Sequence, residues 1–198
     1  MENETAKIKS VIRFNKWFSM EKELLSERIK SLVVDVLDYP KKGVSFKDLT
    51  GLFASYEIFD AAIKLLAGRI NSVLEEKPDF IVGIEARGFI VGTALAKEMR
   101  IGFVPIRKAG KLPRDVVREE YDLEYGKASI ELQKSAMPKG SKVIIADDLL
   151  ATGGTSNAAL NLVSKQGSRA LGFVFIVTLG YLNGKKKLEL PVFDIVEY

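Results

Sequence analysis

The sequence predicts an α/β fold with a mostly parallel central sheet flanked by helices, and three observations carry that reading. Short continuous apolar runs recur at Phe80–Ile84, Val143–Ala146 and Ala170–Thr178, the pattern of strands buried on both faces. Segments with helical spacing lie between them. Ile58, Phe59, Ala62, Leu65, Leu66, Ile70 and Val73 fall on one helical face, and Gly88–Met99 and Gly154–Lys165 read as further helices. A glycine-rich turn joins the Val143 strand to the last of these helices. Strand–helix alternation of this kind implies parallel pairing with crossover helices on both faces. Ligands in such sheets bind beyond the carboxyl ends of the strands, so the residues that follow each strand matter most.

Taken in order, residues 1–20 form a polar-aromatic extension and Glu21–Val34 reads as a helix. The stretch Asp38-Tyr39-Pro40-Lys41-Lys42-Gly43 is a loop, because proline and glycine interrupt any periodic element there. After the Ile58–Val73 helix, Pro78-Asp79 precedes the first buried strand. Gly102–Ile106 reads as a strand ending at the basic pair Arg107-Lys108. From Ala109 to Glu120 the chain is charged and lacks a periodic apolar face, which predicts a mobile loop. Ala128–Gln133 alternates apolar and polar residues, as a half-buried strand does. Residues 21–198 thus suit a single domain, and no internal repeat or low-complexity tract interrupts them.

Composition narrows the chemistry. With 47% hydrophobic residues the chain can build a core without covalent staples. It has no cysteine, which excludes disulfides, thiolate zinc sites and thiol nucleophiles. It has no histidine either, which removes the Ser-His-Asp triad and imidazole acid–base work. Carboxylates, Lys, Arg, Tyr, hydroxyls, backbone amides and a hard metal such as magnesium remain. The net charge of +4 suits an anionic small substrate, and no dense basic patch interleaved with aromatics points to nucleic acid. No apolar run reaches the ~18 residues of a membrane span. Glu2 and Glu4, with Lys7, Lys9, Arg13 and Lys16, argue against a secretory signal, and a cytoplasmic location is expected.

The stretch Val143-Ile144-Ile145-Ala146-Asp147-Asp148-Leu149-Leu150-Ala151-Thr152-Gly153-Gly154-Thr155 carries the functional case. A buried strand delivers two adjacent carboxylates to its exposed end, and a loop with two glycines and two threonines then opens a helix. Backbone N–H groups beside the positive end of a helix make a phosphate cradle, and Thr152 and Thr155 add hydroxyl donors. The glycines let the backbone approach an anion closely. Carboxylates just before the cradle suit a sugar, because each accepts hydrogen bonds from hydroxyls. A phosphate loop beside a diol clamp describes a ribose 5-phosphate site. The spacing fits neither the P-loop nor the dinucleotide fingerprint. The competing reading is a plain helix cap with Asp147 and Asp148 as solvated charges.

This segment resembles the phosphoribosyl diphosphate motif of type I phosphoribosyltransferases, and DDLLATGGT is the form found in the adenine phosphoribosyltransferase family. Asp38–Thr50, Gly83–Ile90, Ile106–Pro113 and Tyr121–Lys127 also look like family segments in family order, so the likeness covers about residues 28 to 197. The resemblance implies the type I phosphoribosyltransferase fold, with a small N-terminal hood at about 35–50 and a flexible catalytic loop at about 114–131. It assigns Ala151, Thr152, Gly153, Gly154 and Thr155 to the 5-phosphate, and Asp147 and Asp148 to the ribose hydroxyls. Glu85-Ala86-Arg87-Gly88 matches the diphosphate loop, which in relatives can hold a cis non-proline peptide, with Arg87 as the charge-matched donor. Arg107, Lys108 and Lys111 would complete the diphosphate and magnesium region, and Glu124-Tyr125 matches the acid–base position.

The resemblance also implies a base. Enzymes for 6-oxopurines place an Asp in the phosphate loop, where this chain has Ala151. Adenine-type members read the base through backbone groups of the hood, here Val44, Ser45 and Lys47, with Phe46 and Leu149 sandwiching the ring. Three residues depart from common family choices: Lys42 for Pro, Lys47 for Arg and Ala86 for Ser. The implied reaction is adenine plus phosphoribosyl diphosphate giving AMP and diphosphate, with Mg2+ held through substrate rather than by direct protein ligands. A homodimer is expected. Two rivals stay open at this point: transfer to a 6-oxopurine, xanthine or orotate, and a non-catalytic regulator that senses phosphoribosyl diphosphate.

Overall fold

Chain contacts divide the molecule into two units, one ending at Ala62 and the other running from Ile63 to Tyr198. The computed structural model describes residues 21–123 and 126–198. The extension at 1–20 and the pair Glu124-Tyr125 lie outside the described residues.

In the first unit, residues 21–32 are helical (α1), followed by β1 (Val34–Leu37), β2 (Ser45–Asp48) and the short α2 (Thr50–Ala54). The helix ends earlier than its expected limit at Val34. The β-branched run Val33, Val34 and Val36 favours extended backbone, and Val34 pairs across the hairpin with Asp48. The loop at 38–43 is the connection of this antiparallel hairpin. Its Tyr39–Pro40 bond is cis, Asp38 has φ 58°, and Asp38 Oδ1 accepts a hydrogen bond from the Gly43 N–H at 2.6 Å. Helix α3 (Tyr56–Val73) has the expected apolar stripe, with Ile58, Ala62, Leu65, Leu66 and Ile70 buried.

The second unit is organised by β3 (Phe80–Ile84), α4 (Gly88–Met99), β4 (Gly102–Lys108), β5 (Val116–Leu123) and β6 (Gly126–Gln133). Then follow β7 (Lys142–Ala146), β8 (Leu149–Leu150), α5 (Gly154–Gln166), β9 (Arg169–Val174), β10 (Val177–Thr178), β11 (Val192–Phe193) and β12 (Val196–Glu197). Seven strands pair in the order β11-β9-β7-β3-β4-β6-β5, parallel from β11 to β4 and antiparallel beyond. A small parallel sheet, β12-β10-β8, stands beside this one in the same unit.

Alternation along the strands assigns the two faces. Val82, Ile84, Val104, Ile106, Val143 and Ile145 pack with Ala158, Ala159, Leu162 and Val163 of α5. The intervening Phe103 meets Phe89 of α4 edge-on, with ring centroids 5.9 Å apart. Each fully buried aliphatic side chain contributes about 1.5–3 kcal/mol relative to exposure. A core of this kind lets the strand ends carry polar residues.

Two expectations are corrected here. Ala109–Glu120 is not loop throughout: Val116–Leu123 is a strand paired residue for residue with β6, so the segment expected as a flexible loop at 114–131 is largely a β-ribbon. Its charges conceal the pattern. Val117 and Tyr121 pack on the core, while Glu119 between them is taken up by Asn161 and Lys165 of α5. Ala170–Thr178 is two strands, not one. The Ile176 and Val177 N–H groups both donate to the Asp148 carbonyl, at 3.0 and 3.1 Å, and the chain steps from one sheet to the other there.

Candidate active site

Strands β7, β3 and β4 are parallel neighbours, so their carboxyl ends lie along one edge of the sheet. That edge receives Asp147-Asp148 from β7, Glu85-Ala86-Arg87 from β3 and Arg107-Lys108 from β4. The Glu85–Ala86 peptide is cis.

The β7 and β3 loops meet closely. A β-carbon on Gly88 would stand 2.7 Å from the Ala146 carbonyl oxygen, so only glycine allows this approach. Arg87 Nε lies 2.8 Å from Asp148 Oδ2, an ionic approach that leaves this buried oxygen without a hydrogen-bond donor among the described residues. Asp147 Oδ1 is engaged by the Asp148 N–H at 2.9 Å. Burial pushes the Asp147 carboxyl well up, and the adjacent Asp148 charge adds to it. Burial also raises Asp148, while Arg87 works against that rise. A buried carboxylate oxygen short of a donor is what a sugar hydroxyl would satisfy.

On the other side, Glu85 gathers the cations. Its carboxylate accepts from Arg107 Nη2 at 3.1 Å, the Lys108 N–H at 2.9 Å and Lys111 Nζ at 3.4 Å. Arg107 foremost, with Lys108 and Lys111, lowers the Glu85 pKa to about 2 despite the opposing effect of burial. Arg107 Nη1 also donates to the Lys111 carbonyl at 3.1 Å, which closes the turn on itself. The Lys108–Lys111 turn is tied from behind as well. Buried Glu131 accepts the Gly110 N–H at 2.8 Å and pairs with Arg118. Arg107, Lys108 and Lys111 are thus brought together, beside Ala86 and Arg87.

After Leu149-Leu150, the loop Ala151-Thr152-Gly153 turns into α5. Gly153 caps the helix with φ 84°, a conformation other residues adopt reluctantly. The first helical bond runs from the Asn157 N–H to the Gly153 carbonyl at 3.0 Å, so the N–H groups of Gly154, Thr155 and Ser156 precede it. Amides at this end of a helix favour a dianion. No group of three or more acidic or other ligating side chains gathers for a metal among the described residues. Asp147 and Asp148 offer hard oxygen donors too few for a protein-built cage, but suited to a hydrated ion arriving on a diphosphate.

Residues 50–196 match the phosphoribosyl transferase domain model. The adenine phosphoribosyltransferase of Synechocystis is 47% identical over 171 residues, covering 86% of this chain and 99% of that protein. The corresponding protein of Trichodesmium erythraeum is 43% identical over the same shares. The crystal structure of the Thermoanaerobacter pseudethanolicus enzyme superposes with a TM-score of 0.82 at 40% identity, covering 87% of this chain and 99% of that one. The Saccharomyces cerevisiae enzyme, solved with adenine and an imino-altritol bisphosphate, gives a TM-score of 0.82 at 38% identity and the same coverage.

The chain belongs to the adenine phosphoribosyltransferase family. Its reaction is that of a purine-salvage pentosyltransferase forming AMP, and the sheet is the family fold. The other bases and the regulator reading are set aside. Of the hood residues, Phe46 packs edge-on against Tyr39 at 5.3 Å between ring centroids, and Lys47 Nζ lies 2.5 Å from Asp35 Oδ1. The Val44 N–H donates to the Lys41 carbonyl, and its own carbonyl accepts from the Tyr39 N–H, both at 3.2 Å. No helix among the described residues is long and apolar enough to cross a membrane.

Sequence reasoning assigned Glu85 no role of its own, although its carboxylate collects the Arg107 and Lys111 side chains and the Lys108 N–H. The available signal was an acidic residue inside an otherwise basic diphosphate segment. The turn at Gly184 that lies against Ala151 and Gly153 carried no sequence signal, because it comes from about thirty residues further along the chain.

Proposed function

We propose that the strand-end site performs the transfer with Ala151–Thr155 holding the 5-phosphate, Asp147 and Asp148 the ribose hydroxyls, and Arg87 with Arg107, Lys108 and Lys111 the diphosphate. One observation carries the reading: the aspartate pair, in which buried Asp148 Oδ2 lacks a hydrogen-bond donor among the described residues, adjoins a helix-terminal loop on one side and a cationic turn on the other. A sugar bearing a phosphate at one end and a diphosphate at the other matches that sequence of charges.

The amides and hydroxyls of the loop anchor the sugar through its remote dianion, so binding energy orients the anomeric carbon. Bond breaking there builds positive charge on the ribose ring, which the adjacent aspartates stabilise. Arg87 and the basic turn stabilise the departing diphosphate. Magnesium, when bound on the substrate, would offset further diphosphate charge. By the resemblance, Glu124 would hold the proton arrangement at purine N7, with Tyr125 next to it in the chain. Backbone groups of Val44, Ser45 and Lys47, with Phe46 and Leu149 against the ring, would choose adenine. Val44 then reads with the second lone pair of its carbonyl, since its first already accepts from Tyr39. A homodimer in the cytoplasm completes the proposal, on the strength of the resemblance.

The test compares turnover with adenine, hypoxanthine and orotate, alongside AMP calorimetry on the parent and Asp148→Asn. Adenine alone should release diphosphate, and the variant should bind AMP about tenfold more weakly, the loss of one charge-assisted hydrogen bond. Unchanged AMP affinity in Asp148→Asn would remove the aspartates from the ribose site.

A further inference from the structure

We infer that the turn at Gly184-Lys185 is a backstop that positions the phosphate loop, making Gly184 and Lys185 positioning residues for 5-phosphate binding. The inference rests on the reading of Ala151–Thr155 as the 5-phosphate cradle and adds what holds that cradle in shape.

The contact is backbone against backbone. A β-carbon on Gly184 would overlap the Ala151 carbonyl oxygen and stand 3.1 Å from its carbon and 3.2 Å from the Gly153 nitrogen. Reciprocally, a β-carbon on Gly153 would stand 3.0 Å from the Gly184 carbonyl oxygen. No flexible side chain intervenes that could yield, so any shift in the turn is passed directly to the loop. The loop needs such support, because its Gly153 is in the left-handed region and no side chain caps α5.

The turn itself is anchored on two sides. Lys185 Nζ lies 2.5 Å from both Asp194 Oδ2 and Glu197 Oε2. Asp194 is buried, and its Oδ2 also accepts from Thr178 Oγ1 at 2.8 Å, which ties the turn to β10. Burial opposes the Lys185 charge, yet Asp194 and Glu197 outweigh it and hold the ammonium above its usual range. On the other side, Asn157 Nδ2 in the first turn of α5 donates to the Lys187 carbonyl at 3.2 Å. Leu188, immediately after, is buried in the core of the sheet. The turn is therefore fixed to the helix whose amino end forms the cradle and to the sheet beside it. A cradle of amides grips a dianion in proportion to how little it must reorganise, and a fixed wall behind it supplies that preorganisation.

Four variants test this by steady-state kinetics and by calorimetry with AMP and with ribose 5-phosphate: Thr155→Ala, Gly184→Ala, Lys185→Met and Lys185→Arg. Thr155→Ala checks the cradle first, and unchanged affinity for both ligands would sink the cradle reading and the backstop together. With the cradle upheld, Gly184→Ala should raise the KM for phosphoribosyl diphosphate and the AMP Kd about tenfold or more, while the adenine KM stays within about twofold. Lys185→Met should move the same two constants about threefold, and Lys185→Arg, which keeps the ion pairs, should return them toward the parent. A merely structural role would lower the active fraction without this split between the two substrates. Soluble, folded Gly184→Ala with phosphate affinities within about twofold of the parent would overturn the backstop alone. Should Gly184→Ala fail to fold, the Lys185 pair decides: Lys185→Met with unaltered AMP affinity overturns the inference equally.

Discussion

A β-carbon on Gly88 would stand 2.9 Å from Asp147 Oδ1 and 3.1 Å from the Asp147 α-carbon. The loop after β3 and the aspartate pair after β7 thus approach too closely for a side chain to stand between them. On the proposed site assignment, the geometry at both ends of the anomeric bond would depend on this joint.

Gly88→Ala should therefore lower kcat/KM for phosphoribosyl diphosphate about 10²-fold, because the new methyl must push apart two backbones that no rotamer change can relieve. Kinetics beside a thermal melt provides the check. A drop of less than about threefold would mean that the two strand ends work independently.

Asp147→Asn should stabilise the protein while impairing it. The Asp147 carboxyl is raised by burial and by Asp148, so the folded state holds its proton more tightly than the unfolded chain. Stability from that group is full below the ordinary carboxylate range and falls as pH rises toward the folded value. An isosteric amide has no charge to bury and still accepts the Asp148 N–H. The melting temperature of the variant should match the parent in acid and exceed it at neutral pH, while AMP affinity drops. A variant that melts lower than the parent at pH 7 would contradict the electrostatic account.

For Glu85 the sign reverses. Its pKa falls from 4.5 to about 2 on the strength of Arg107, Lys108 and Lys111, so its contribution is present above the ordinary value and lost as pH falls through the folded one. Glu85→Gln should lower the neutral-pH melting temperature by about 3 °C, the scale of a screened pair worth ~1 kcal/mol in a chain of this size. The deficit should close in acid. Because Arg107 and Lys111 lose their anchor, the KM for phosphoribosyl diphosphate should rise about fivefold. Equal KM values would show that these cations are held by something else.

Glu124 lies outside the described residues, and its role is carried by resemblance. Glu124→Ala should lower kcat about 10²-fold with little change in AMP affinity, as loss of a proton-handling group does. Turnover at the parental rate would remove Glu124 from the acid–base position.

The placement of the candidate site's main segments was legible in the residues. Val143–Ala146 is apolar without interruption because β7 is buried on both faces, and Asp147-Asp148 must then emerge at its end. Gly153-Gly154 before a helical pattern marks a turn into a helix, and the structure has Gly153 capping α5. The ribbon was not legible. Glu119 faces inward on β5, but Asn161 and Lys165 of α5 satisfy it, so the strand lacks the apolar alternation that reveals β6. Nor was the break between Val174 and Val177 visible, since both halves are equally apolar and the Asp148 carbonyl that divides them is far away in the chain.

The sequence by itself determined the alternation of elements, the glycine turn into α5 and the family, because burial periodicity and turn composition are written within a few residues of where they act. Only the tertiary structure decided that β7, β3 and β4 lie side by side, that Glu85 collects the cations, and that Gly184 presses on Ala151. Those facts follow from strand pairing and packing between segments distant in the chain, and such contacts depend on the shape of the whole unit rather than on any local pattern.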